Sequence, residues 1–268
     1  SIASYDSFHY QHIKNAYKYK KHILVEKPIC QNRKELNKIY KLFKENKSII
    51  ITSNLVLRTN HFFNIIKKQI GRKEFGELFH IEADYNWGRI SKLTKGWRTE
   101  MPYYSIIQGA AIHMIDLIIW LIDEKPKFVS ALENSISTKN TRMKFSSFAI
   151  LNLQFSSGLI VKISANGGCV HPHFHNLRIF GTNKSLLHEF SNTSFIKKSR
   201  NNLMVSSIKP QYPDKINRKK LIFNFINKIQ KNKSDLLIDP KAIFDSMSVC
   251  LAAEESIKKN KKIKINYL

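Results

Sequence analysis

Three groups of side chains in this 268-residue chain have the types and spacing for proton chemistry. Lys27 ends the run His22-Ile23-Leu24-Val25-Glu26-Lys27-Pro28, whose centre has the apolar, β-branched character of a strand covered on both faces. Pro28 has no N–H to give a ladder, so the strand stops there and leaves Glu26 and Lys27 at its exit. In open α/β sheets ligands bind in the crevice outside the carboxyl ends of the strands, and a lysine there moves a proton once burial or a neighbouring cation lowers its pKa. His113 and Asp116 are three residues apart in an apolar helical stretch, so they share one face. From the residues alone, a histidine in such a helix is a core histidine with a satisfied hydrogen bond. His171, His173 and His175 alternate as residues on one face of a strand do, and imidazole suits zinc. No cysteine or carboxylate stands near them at ligand spacing, so no metal site is expected and the three histidines are read as facing substrate or solvent.

Four segments, in order, resemble the glucose-fructose oxidoreductase, inositol dehydrogenase and MocA (Gfo/Idh/MocA) family. Ala3-Ser4-Tyr5-Asp6-Ser7-Phe8-His9 is similar to its ATPNxxH segment and the Lys27 run to its GKHVLCEKP. Gly96-Trp97-Arg98 is similar to its GWR, and His113-Met114-Ile115-Asp116 to its HxxD. The histidine run followed by Leu177 to Leu186 resembles a family PHFH entry into LRVFGTKGTL. The resemblance spans nearly the whole chain. It implies an NAD- or NADP-dependent oxidoreductase that moves a hydride between the nicotinamide and a secondary alcohol or ketone of a sugar, cyclitol or nucleotide sugar. It also implies roles for residues. Lys27 and His113 would be catalytic, facing each other across one crevice. Ala3, Ser4, Tyr5, His9, Glu26, Lys27, Asn54, Trp97 and Arg98 would lie along the cofactor, with His9 either touching it or bonding locally in the first turn of its helix and Arg58 either near it or on the surface. Lys27, His113, Asp116 and His173 would meet the substrate, Asp116 chiefly as a supporting partner. Family dehydrogenases commonly carry an aspartate four residues before the histidine. Gly109 stands there in this chain and leaves Lys27 and His113 to share the proton without it. The other reading, kept open by Gly109, is a truncated, non-catalytic member acting as a binding or oligomerisation module.

The elements that must position these groups change character along the chain. The expected fold class is α/β plus α+β: the C-terminal half of a Rossmann NAD(P)-binding domain over residues 1–58, then a mixed or antiparallel-sheet substrate and oligomerisation domain over 59–268. No Gly-x-Gly-x-x-Gly turn precedes the Ser4 loop, and the resemblance implies on the order of 70 further residues before it and weak cofactor binding by the 268 alone. Periodicity predicts a helix to about Tyr19 with Asp6 or Ser7 at its N-cap, a helix over Asn32 to Asn46, and a strand from Ser48 to Leu57. A helix over Asn60 to Ile70 and a strand from Leu78 to Trp87 follow, then a helix from Ser105 to Ile122. Strands are expected at Lys127 to Ile136, Ser147 to Phe155, Leu159 to Ala165, Leu177 to Phe180 and Leu186 to Phe190. Ser156-Ser157-Gly158 reads as a hairpin turn, and Asn183 as a left-handed residue compensating for Lys184. Helices over Lys215 to Gln230 and from Asp239-Pro240 to Lys258 complete the chain with a strand near Ile263 to Asn266. In the family the last helix packs back on the first domain and the last strand lies in its region.

Composition narrows the partners. With 43% apolar and 11% aromatic residues the chain can bury a core and is expected to be a soluble, folded protein. The formal charge of +25 comes mostly from lysines spread along the whole sequence, with no arginine-rich stripe or aromatic-basic platform, so nucleic acid is not an expected partner. The longest apolar run, Ile112 to Ile122, is broken by His113 and Asp116 and too short to span a bilayer, so no membrane is expected either. Three cysteines without Cys-x-x-Cys spacing predict free thiols in a reducing, cytoplasmic setting. The C-terminal sheet is expected to form a homo-oligomer, a dimer or tetramer.

Overall fold

The Ile23-Leu24-Val25 run forms the strand its residues predict, and the chain builds outward from it. The computed structural model describes residues 1–198, 203–210, 212–231 and 235–268. Strand β1 (Ile23–Val25) pairs in parallel with β2 (Ile51–Ser53), and Ile2 bridges Val25 in parallel on the other side. Three parallel segments therefore point their carboxyl ends the same way. Helix α1 (His9–Lys18) buries Ile13 and Tyr17 beside β1, and α2 (Arg33–Glu45) buries Leu36 and Ile39. Asn32 caps α2 by accepting the Glu35 N–H at 3.0 Å, while the Glu35 carboxylate accepts the Gln31 N–H at 3.0 Å.

Helix α3 (His61–Gly71) is capped by Asn60, which accepts the Phe62 and Phe63 N–H groups. It is followed by β3 (Leu78–Asn86), a single turn α4 (Ser91–Thr94) and helix α5 (Ile112–Ile122), which a π turn over Ile107–Ala111 leads into. Then come β4 (Phe128–Asn134), β5 (Phe148–Gln154), β6 (Ile160–Asn166), β7 (Phe174–Gly181), β8 (Lys184–His188), β9 (Thr193–Lys198) and β10 (Leu203–Ile208). Helices α6 (Lys219–Lys231) and α7 (Pro240–Lys259) and strand β11 (Ile263–Lys264) end the chain. The strands form one nine-stranded sheet in the order β10-β9-β8-β7-β3-β6-β5-β4-β11, antiparallel at every pair except β3 with β6. In β3 the alternate residues Ile81, Ala83 and Tyr85 are buried, the period-2 signature of a sheet with one covered face. Helix α5 lies on that face and is buried on nearly every side, between α3 and α7. Each of its fully buried Ile and Leu side chains contributes about 1.5–3 kcal/mol, so truncating Ile115 alone would open a costly cavity at the centre of the molecule.

Helix α7 ties the two sheets together. Asp239 caps it through the Ala242 N–H at 2.6 Å with Pro240 in its first turn. Its Phe244 ring meets Tyr40 of α2 edge-on at 5.1 Å, Ser248 accepts from Arg33, and Thr52 of β2 donates to Ile238 O at 2.8 Å. The final strand departs from expectation, because Ile263 and Lys264 pair with β4 at the edge of the large sheet. Other departures are local. The segment expected as a strand to Leu57 ends at Ser53 and turns into a 3-10 helix over Val56–Thr59. Neither Asp6 nor Ser7 caps α1, since residues 6–8 themselves form a 3-10 turn and no side chain caps it. Asn183 does not take a positive φ. The positive φ at this corner belongs to Gly76 on the facing loop, where a Cβ would meet Thr182 Oγ1 at 2.2 Å. The β9–β10 hairpin is an element the sequence reading missed. The turn at Ser156-Ser157-Gly158 forms as expected, with Gly158 at φ +90°.

Candidate active site

The parallel strand ends and helix α5 meet at one cavity of about 460 Å³. Lys27 and Glu26 enter it from the exit of β1, Asn54 from the exit of β2, Tyr85 from β3, His113 from α5, and His173 and His175 from the start of β7. Residues 27 and 113 thus share a wall, although 86 positions separate them in the chain.

The π turn before α5 explains how Lys27 is held. Widening the helix by one residue releases carbonyls from the regular ladder, and the Lys27 ammonium donates to one of them, Gly109 O. Position 109 is closed to any larger side chain, because a Cβ there would sit 2.5 Å from the Tyr104 hydroxyl. That hydroxyl is buried, with the Arg98 guanidinium beside it. The glycine is therefore matched to Tyr104, whose phenol fills the space in front of it. Burial drives the Lys27 pKa below the ordinary lysine value, with Asp6 and then Glu26 pulling it back up and Arg98 pushing it down. Asp6, raised by its own burial, is the carboxylate that acts most strongly on Lys27.

His113 is 8% exposed, and its Nδ1 is buried without a partner. Its ring stacks on Tyr85 at 5.8 Å and 12°. Burial holds its pKa well below the usual histidine value, and the Lys27 charge and the neighbouring His175 and His173 add to the effect. A neutral imidazole results. His175 packs edge-on against Tyr85 at 4.6 Å and bonds the Tyr212 hydroxyl. His173 sits 5.0 Å from His175, and burial with the Arg89 and Arg218 charges lowers it to about 4. His171 turns away toward the Phe190 ring. Among the described residues no three His, Cys, Asp or Glu side chains converge as a metal site requires.

Several predicted residues serve the scaffold around this cavity. Asp116 does not line it. The carboxylate is 1% exposed and takes two hydrogen bonds from Arg58, Nε at 3.0 Å and Nη2 at 2.6 Å, with Ser246 at 3.5 Å. Arg58 is thereby occupied behind α5, one turn along from His113. His9 is buried and spans Pro28 O at 2.6 Å and Ser4 O at 3.0 Å with its two ring nitrogens, locking the first loop to the β1 exit. Asn54 donates to Glu26 at 2.6 Å. Ser4 bonds His12 at 3.0 Å, and Ala3 is exposed beside it. Tyr5 stacks on Trp97 at 4.9 Å and 11°, and the Arg98 guanidinium lies 4.2 Å from the centre of the other ring of that pair, Trp97, and 5.1 Å from Trp87. The sequence reading missed Tyr85, Tyr104, Asp6, Arg89 and Arg218. The alternation along β3 was the signal available for Tyr85; the others come into place only through the topology.

Two family models match the chain. Residues 1–54 match an oxidoreductase family described as having an NAD-binding Rossmann fold, and residues 63–187 match the GFO/IDH/MocA C-terminal domain. No curated protein is significantly similar in sequence. Among solved structures, levoglucosan dehydrogenase in complex with NADH superposes with a TM-score of 0.84 at 16% identity, over 100% of this chain and 79% of that one. The myo-inositol 2-dehydrogenase of Lactobacillus plantarum gives 0.81 at 18% identity, over 99% and 79%. An oxidoreductase of Desulfitobacterium hafniense described as NADPH-dependent gives 0.83 at 20% identity, over 98% and 78%. At such identities the likeness is one of fold. With the NAD-binding model over the parallel strand ends and the C-terminal model over β3, α5 and β7, the chain belongs to the GFO/IDH/MocA family of oxidoreductases with an NAD-binding Rossmann fold.

Proposed function

We propose that this protein transfers a hydride between a nicotinamide cofactor and a secondary alcohol, or the matching ketone, of a sugar or cyclitol, with Lys27 as the proton-transfer group and His113 beside it. The observation that carries the proposal is the shared cavity: a strand-exit ammonium and a neutral imidazole on opposite elements, with Lys27 anchored to the turn that leads into the His113 helix. In the oxidative direction the alcohol carbon loses a hydride, its hydroxyl loses a proton, and a carbonyl remains. The bound nicotinamide would accept the hydride. The proton passes to the neutral amine of Lys27, a form that burial brings within reach. His113, kept neutral, orients the hydroxyl by hydrogen bonding without adding a second positive charge next to Lys27. In the reductive direction the Lys27 ammonium returns the proton.

The residues present fit the nicotinamide half of the cofactor. The open ends of three parallel segments lead to Lys27, and the stacked Tyr5 and Trp97 carry the Arg98 guanidinium, whose charge acts on Lys27. Ser4, Tyr5, Lys27, Trp97 and Arg98 would hold it. The test uses the full-length protein as its gene encodes it, mixed with NAD⁺ or NADP⁺ and a panel of sugars and cyclitols, with reduced nicotinamide followed by absorbance. Reduction with at least one alcohol is expected. No reduction with any, together with no saturable binding of NADH or NADPH, refutes the proposal.

A further inference from the structure

We infer that the mouth of the Lys27–His113 cavity is built to hold an anionic group, a carboxylate or phosphate carried by the substrate at the end away from the reacting carbon. The inference rests on the oxidoreductase reading for the identity of the cavity as the substrate's. Three cations, Arg89, Arg218 and Lys219, line the cavity along with Lys27, against the single carboxylate of Glu26. Glu26 is already engaged by Asn54 at 2.6 Å. Among the described residues none of the three mouth cations makes an ion pair. The carboxylates that do pair use other cations.

The choice of arginine is informative in this chain. It contains nine arginines against thirty-six lysines, so lysine is its ordinary solvated cation. Arginine is the better residue where a planar fork must meet an acid in a fixed geometry or lie flat on a ring. Two arginines near the site already do this: Arg58 grips Asp116 through two hydrogen bonds, and Arg98 lies on Trp97. Arg89 and Arg218 are exposed at the same cavity, and their guanidinium groups make no hydrogen bond among the described residues. Both act electrostatically on His173, which places the two charges around one imidazole.

Both are held on fixed backbone. Arg89 follows Gly88, whose φ is +59° and where a Cβ would meet His171 O at 1.6 Å, so the turn after β3 is pressed against the loop before β7. Arg218 closes the turn Ile216–Arg218 that opens α6. Asp214 pins that turn, accepting the His61 N–H at 3.0 Å, the Asn217 N–H at 3.3 Å and the Asn217 amide at 2.7 Å. The first turn of α6 carries no acidic residue, so its peptide dipoles add to the positive field. Apart from Lys27, the floor of the cavity holds uncharged groups suited to hydroxyls: Tyr85 and the neutral His113 and His175. A polyhydroxylated body with one charged end matches this division.

The test uses three probes with the same ring that differ only at carbon 6: D-glucose, D-glucuronate and D-glucose 6-phosphate. Each is titrated into the full-length protein while the imidazole NMR signals of His113, His173 and His175 are followed. At least one acid should shift these signals with a Kd about tenfold or more below that of glucose. In the Arg89→Gln/Arg218→Gln variant that advantage should vanish, while the glucose titration and NADH affinity stay unchanged. The tighter of the two acids distinguishes carboxylate from phosphate recognition. Glucose binding as tightly as both acids overturns the inference, as does no saturable shift with either acid. An acid preference that survives the double substitution assigns it to the general positive charge and also overturns it, and loss of NADH affinity in the variant assigns the cluster to the cofactor instead. Binding is read without turnover, so the two proposals fail separately. An inactive protein that still prefers the acid counts against hydride transfer alone, and an active one without the preference counts against the anion site alone.

Discussion

Replacing Asp116 with asparagine should destabilise the fold by about 3–5 kcal/mol, the range seen when one partner of a buried ion pair is removed. Asp116 is 1% exposed and Arg58 8% exposed, so neither charge has water to fall back on. Asparagine keeps the shape but leaves the Arg58 guanidinium buried without a counter-charge. The pair itself is not a net gain. Burial, together with the Asp239 charge, raises the Asp116 carboxyl pKa in spite of Arg58 and Ser246, as for a buried pair whose desolvation weighs heavily against its attraction. Arg58→Met/Asp116→Leu, which removes both charges at similar volume, should therefore lie within about 1 kcal/mol of the wild type. Urea denaturation followed by tryptophan fluorescence reads both, and Trp120, whose ring lies 5.9 Å from the Arg58 guanidinium, reports on the site itself. The single variant should show a lower midpoint at unchanged slope and a melting temperature lower by on the order of 10 °C. A single variant within about 1 kcal/mol of wild type, or a double variant less stable than the single one, would refute the reasoning.

Other outcomes follow from individual contacts. His188 is 1% exposed, bonds Thr193 at 2.7 Å and is held at about 4 by burial. Because its folded pKa lies below the unfolded value, the unfolded chain binds the extra proton between about pH 6.5 and 4. The wild type should thus lose stability relative to His188→Gln as pH falls through that window, by on the order of 3 kcal/mol in all. Parallel pH-dependent melting curves would count against it. Gly109→Ala should destabilise by about 1–3 kcal/mol, although alanine is the better helix former, because its Cβ would meet the Tyr104 hydroxyl. Adding Tyr104→Phe should recover part of the loss in thermal denaturation, and a stabilised single variant would contradict the packing. Asp6→Asn removes the carboxylate that most raises the Lys27 pKa, so the pH of half-maximal alcohol oxidation should move down. An upward move would assign Asp6 another role.

What the sequence made legible was what is local in the chain. The β1 exit could be read because Pro28 must end the strand next to Lys27, and the His113 face could be read from a three-residue spacing. The Asp239-Pro240 cap likewise sits within four residues of the N–H it satisfies. Much of the cavity wall was not legible, because Tyr85, Arg89 and Arg218 reach it from β3, the turn after it and the turn before α6, over separations that only the fold resolves. The partnership of Gly109 with Tyr104 was hidden for a different reason. A missing side chain reads as a loss until the phenol that fills its place is seen. Asp116 misled because a family spacing identifies a helix face but not whether the side chain looks into the cavity or back toward Arg58. The β9–β10 hairpin escaped because its lysines, serines and exposed apolar residues do not alternate as a one-sided strand should.

The most direct measurement is the turnover of Lys27→Met against wild type, in the full-length protein, on the alcohol that the panel shows to be oxidised best. Methionine keeps the stem's bulk and removes the group that takes the proton. Turnover should fall by roughly 100-fold or more with NADH affinity retained. The wild type's rise in oxidation rate with pH, placed below the ordinary lysine range by burial, should disappear with it. Near-normal turnover in Lys27→Met with that alkaline rise intact would contradict the account and leave the lysine as a strand-end residue only.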